Sequence, residues 1–116
     1  MNATELRETL RAGLKSALRS RDRVATQALR SALAAIDNAE AVPTNTRAGA
    51  IEAAATGVGS TEAARHRLSP EDLADILRRE IEERRAAAEE YAAAPDTAAR
   101  LHAEAEVIAA YTRDVG

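Results

Sequence analysis

Residues 5–40 read "ELRETLRAGLKSALRSRDRVATQALRSALAAIDNAE", and the spacing of their apolar side chains decides the fold. Leu6, Leu10, Leu14 and Leu18 recur every four residues, with Ala17 beside the last. That repeat lays them in one stripe along a helix of about residues 3–19. Asn2, with Glu5 three positions later, supplies a polar pair able to cap its first turn. A second stripe follows in Ala25, Ala28, Leu29, Ala32, Leu33 and Ile36, with Asp22 standing where a cap belongs and the helix ending near Glu40, before Val42-Pro43. Because so few residues separate the two stripes, they form an antiparallel helical hairpin over residues 3–41.

The rest of the chain repeats the pattern once. Ser69-Pro70-Glu71-Asp72 is the strongest local signal: a serine cap, a proline at the first helical position, and two carboxylates at the positive end of the helix dipole. The helix it starts carries Leu73, Ile76, Leu77, Ile81, Ala88 and Tyr91 on one side and is expected to end at Ala94-Pro95. Arg78, Arg79, Glu82, Glu83, Arg85, Glu89 and Glu90 form its wet side. Asp96 is expected to cap a last helix, with Leu101, Ala105, Ile108 and Tyr111 as its stripe. Residues 69–113 thus make a second hairpin. Between the two lies a connector, 42–68, where periodicity fades; a short helix near Ile51–Ala55 is its only expected element. The fold expected is all-α, one domain over residues 1–116, with two helical hairpins packed as a four-helix assembly and a long, partly irregular connector.

Composition narrows both core and compartment. Of the 116 residues 30 are alanine, Phe and Trp are absent, and Tyr91 and Tyr111 are the only aromatics. Alanine has the highest helix propensity and lets helix axes approach closely, so the core is thin and tight. Without cysteine there is no disulfide, thiolate metal site or cysteine nucleophile. The opening "MNATELRETL" has no apolar signal core, and no window approaches the roughly 18 apolar residues of a membrane span. A soluble, cytoplasmic protein is expected, with no membrane partner.

Motifs for catalysis are sparse. His102 and Glu106 sit four apart on the last helix, a spacing that suits two ligands on one metal, but no third donor accompanies them. His66 stands between Arg65 and Arg67 with no nucleophile nearby. "TGVGST" (56–61) lacks the glycine spacing and the Lys-Ser/Thr pair of a phosphate-binding loop. Glu82-Glu83 and Glu89-Glu90 lie among arginines on a wet face, where each carboxylate ionises alone. The sequence therefore assigns no catalytic residue, no metal site and no cofactor.

Charge is the remaining signal. The net charge of -3 combines +2 over residues 1–60 with -5 over 61–116. Residues 7–30 carry seven Lys/Arg against Glu8 and Asp22, or +5. Arginine makes bidentate contacts with phosphate, so Lys15, Arg19, Arg21, Arg23 and Arg30 are the candidate nucleic-acid-binding residues. The competing reading is that this basic surface faces the protein's own acidic second half. Against nucleic acid stand the lack of a stacking aromatic and the overall acidity, pI about 5.4, unlike the usual basic nucleic-acid module.

Residues 10–40 and "LSPEDLADILRREIEERRAAAEEYAAAPDTAARLHAEAEVIAAY" (68–111) together resemble the N-terminal helical region of the GatB/YqeY-like family. The matching positions include Arg21-Asp22, Leu29-Arg30, Asn38-Ala39-Glu40, Leu68-Ser69-Pro70-Glu71-Asp72, Glu89, Tyr91, and Glu104 and Glu106 through Tyr111. The family is similar to the C-terminal part of the B subunit of the glutamine-dependent aminoacyl-tRNA amidotransferase. The resemblance implies association with carbon–nitrogen ligation using glutamine as amido donor, and with tRNA or a translation-related protein as partner. It carries over no active site, since the amidase nucleophile belongs to another subunit and the ATP site to another domain. Family members continue past a Tyr-Leu-Pro into a further helical tail, whereas Tyr111 here is followed by Thr112-Arg113. The alternative is a helical adaptor or self-associating module, a homo-oligomer that binds no nucleic acid.

Overall fold

The computed structural model describes residues 1–41 and 67–115. Among them four helices follow in order: α1 (Ala3–Ser20), α2 (Arg23–Glu40), α3 (Pro70–Glu90) and α4 (Pro95–Val115). The helix expected near 51–55, the 56–61 glycine stretch and His66 lie outside the described residues. The all-α, four-helix expectation holds for the described chain.

Three of the four helices start on the cap that the sequence marks. The Asn2 side chain accepts from the Glu5 amide at 2.8 Å, and Asp22 accepts from the Ala25 amide at 3.0 Å. Ser69 and Asp72 form a reciprocal capping box: the Asp72 amide donates to Ser69 Oγ at 3.0 Å and the Ser69 amide to Asp72 Oδ2 at 2.9 Å. These bonds satisfy amides that a helix start leaves without partners.

α2 packs against each of the other three helices, and α3 pairs with α4. The core draws Leu6 and Leu10 from α1, Ala28, Leu29, Ala32 and Ile36 from α2, Leu73, Leu77 and Ile81 from α3, and Ala105, Ile108 and Val115 from α4. Truncating one of its buried leucines to alanine costs about 2–5 kcal/mol, a large share of a small domain's stability. α1 and α4 meet over a glycine. A Cβ on Gly13 would lie 2.1 Å from the Tyr111 hydroxyl oxygen and 3.2 Å from Leu29 Cδ1.

Four expectations are corrected. Leu18 and Tyr91 continue their apolar stripes in sequence but are 49% and 51% exposed. Both stand at the end of a helix, where the periodic pattern outruns the packing partner. α3 stops at Glu90, not at Ala94, because Tyr91–Ala94 turns on itself through the Ala94 amide and the Tyr91 carbonyl at 2.8 Å. Asp96 consequently lies within the first turn of α4 behind Pro95, where it faces the helix dipole without being the cap. The last helix also runs two residues further, to Val115.

Candidate nucleic-acid interface

The basic surface is built around a turn of minimal length. Arg21 holds the left-handed conformation (φ 59°, ψ 36°), the Asp22 amide donates to the Ala17 carbonyl at 2.9 Å, and the Arg21 amide to the Leu18 carbonyl at 3.3 Å. This pair of bonds is a Schellman closure, a position that usually selects glycine. Asp22 then serves twice, closing α1 with its amide and capping α2 with its carboxylate. Arg21 and Arg23 are therefore carried out on either side of a single residue.

Three of the five candidate residues are gathered by this turn. Arg21, Arg23 and Arg30 line a surface groove of about 460 Å³ together with Leu18, Thr26 and Gln27. Lys15 and Arg19, four residues apart on α1, share a face of that helix and do not line the groove. All five are exposed. None of the five makes an ion pair among the described residues.

The acidic half engages its own arginines instead. Arg78 pairs with Asp75 at 2.6 Å, Arg85 with Glu106 at 3.3 Å, and Arg84 with Glu80 and Glu104 at 3.0 Å each. Arg7, counted in the +5 segment, is also committed: it bonds Asp37 at 3.3 Å and Glu40, both at the far end of α2. Removing Arg7 from the account leaves the free positive charge concentrated near the α1–α2 turn. The groove presents arginine forks, which suit anionic oxygens, beside two neutral polar side chains and one leucine. It can hold phosphate or carboxylate groups. It offers no nucleophile with a base beside it.

Sequence reasoning missed a second polar constellation. Ser31 on α2 donates to Glu80 Oε1 at 2.6 Å, and the Arg84 guanidinium, between Glu80 and Glu104, also reaches the Glu80 carbonyl at 3.3 Å. Arg100 approaches Glu104 at 3.9 Å. Glu104 is 5% exposed. The signal available in sequence was position: Glu80 and Arg84 fall three and seven residues after Leu77, inside the apolar stripe of α3 rather than on its wet side. The constellation ties three helices together and contains no group placed to attack a substrate.

The remaining motifs stay apart. His102 is exposed, and Glu106 is bonded to Arg85. No group of three or more His, Cys, Asp or Glu gathers to hold a metal among the described residues. Glu82-Glu83 and Glu89-Glu90 are exposed pairs. No helix among the described residues is long and apolar enough to cross a membrane. The family model described as Yqey-like protein matches residues 7–114. No curated protein and no solved structure matches the chain.

Proposed function

The chain belongs to the Yqey-like protein family, and from that premise we propose that it is a non-catalytic helical module that binds the phosphate backbone of tRNA through its α1–α2 hairpin, in association with glutamine-dependent carbon–nitrogen ligation. The family tie rests on the matched residues, and the ligase and tRNA associations on the resemblance to the amidotransferase B subunit. One structural observation supports the binding mode. Lys15, Arg19, Arg21, Arg23 and Arg30 are exposed and without ion-pair partners among the described residues, while Asp75, Glu80, Glu104 and Glu106 of the second half pair with that half's own arginines. Cations left unpaired on a protein of net charge -3 form a local anion site that the overall charge conceals.

The binding is to the backbone, since neither tyrosine belongs to the groove and no aromatic side chain is there to stack on a base. A mobility-shift titration with total tRNA at low and moderate salt tests it. Saturable binding that weakens with salt is expected, and replacing Arg19, Arg21 and Arg23 with Ala lowers the logarithmic salt slope by roughly one per lost phosphate contact. Binding unchanged by the triple substitution refutes the site; no binding at low salt refutes the function.

A further inference from the structure

We propose that the α1–α2 groove also receives the α3–α4 turn of a second copy of this chain, giving head-to-tail self-association. Among the described residues the two large hydrophobic side chains that stand exposed, Leu18 and Tyr91, lie beside turns of opposite charge. Leu18 lines the groove with Arg21, Arg23 and Arg30. Tyr91 sits between Glu89-Glu90 and Asp96, and residues 89–96 contain no Lys or Arg. Those three carboxylates are exposed and, like the groove arginines, make no ion pair among the described residues. The turn is otherwise Ala92-Ala93-Ala94-Pro95, all exposed, so no bulky side chain shields the tyrosine.

Each surface thus lacks what the other carries. The groove has an apolar wall, three arginines and about 460 Å³ of space; the turn projects one aromatic ring flanked by three negative charges. Tyrosine and arginine are favoured interface anchors, and complementary charge fixes which surfaces meet. Such a contact joins two different patches, so it propagates into a ring or an open chain rather than stopping at a symmetric pair. Its small area makes it weak and reversible. The association does not depend on the tRNA reading, because it is measured without nucleic acid; if both hold, they compete for the same arginines.

Light scattering and sedimentation velocity on the full chain, from micromolar to about millimolar concentration at low salt, provide the test. The expected result is a weight-average mass that rises with concentration and falls back to the monomer when salt is added. Two charge-reversed chains sharpen it: Arg23→Glu/Arg30→Glu makes both surfaces acidic, and Glu89→Lys/Glu90→Lys makes both basic. Each alone is expected to associate about a hundredfold more weakly than the parent, because like charges then face each other. Their equimolar mixture restores association, since each acidic surface again meets a basic one. All substituted positions are exposed, and circular dichroism is the check that each chain folds. Tyr91→Ala, which leaves the charges intact, also weakens association. A parent chain that stays monomeric throughout, or reversed chains that associate as the parent does, overturns the proposal.

Discussion

Replacing Arg21 with glycine separates what the α1–α2 turn needs from what the surface needs. Arg21 holds φ 59° because the Schellman closure requires a left-handed residue there, and a residue with a Cβ loses about 1–2 kcal/mol in that conformation. Glycine removes that penalty but brings a more flexible unfolded chain, which offsets roughly 0.5–1 kcal/mol of the gain. The net expectation for Arg21→Gly is a stabilisation of about 0.5–1 kcal/mol. A chain of 116 residues has an unfolding entropy near 0.24 kcal/mol/K, taken at about 2.1 cal/mol/K per residue, so Tm rises by about 2–4 °C. Calorimetry or a thermal melt followed by circular dichroism reads this. Arg21→Ala is the control: it deletes the same charge, keeps a Cβ in the strained position, and leaves Tm nearly unchanged. Both variants lose tRNA affinity alike if the guanidinium contacts phosphate. Stability and binding therefore move in opposite directions in Arg21→Gly, and only binding moves in Arg21→Ala. A glycine variant no more stable than the alanine variant refutes the left-handed turn.

Two further perturbations probe the interior. Gly13→Ala gains about 1 kcal/mol in helix propensity, yet its Cβ would stand 2.1 Å from the Tyr111 hydroxyl; overpacking of about 1–3 kcal/mol outweighs the gain, so urea unfolding shows a lower midpoint, and adding Tyr111→Phe recovers part of the loss. Arg84→Ala leaves Glu80 and Glu104 facing each other without their shared cation, and breaking a buried pair in this way costs about 3–5 kcal/mol; a loss below about 1 kcal/mol in the same denaturation experiment would show that water reaches the site freely.

What the sequence discloses is governed by distance along the chain. Asn2, Asp22 and Ser69-Pro70 are legible as caps because each bond spans three residues. The stripes through Leu6, Leu10, Leu29 and Leu73 are legible because periodicity reports a buried face. Leu18 and Tyr91 mislead because periodicity cannot tell where the facing helix ends. The break after Glu90 is hidden by alanines, whose high helix propensity lets the run to Ala94 read as unbroken helix. Ser31–Glu80 and Arg84–Glu104 join residues 49 and 20 positions apart, and no local pattern announces such a pair. At the candidate interface, the cluster of cations could be counted from residues 7–30, but its division could not. Arg7 turns to Asp37 and Glu40, Lys15 and Arg19 lie on their own face, and three arginines share the groove.

The guanidinium of Arg84 has a consequence beyond its own bonds. Helices surfaced with alanine present low ridges, so several axial alignments of one against another bury almost the same area. Leucine-for-arginine replacement would fill the space without choosing among them. A planar fork held between Glu80 and Glu104, with Ser31 of α2 on the Glu80 carboxylate, satisfies its geometry at one alignment only, and a slip by one helical turn would strand the buried Glu104 and the half-buried Glu80 and Arg84. In a core so poor in shape, uniqueness is set by charge: this constellation keys α2, α3 and α4 to a single offset, and through α2 it sets where the arginine groove stands relative to the rest of the molecule.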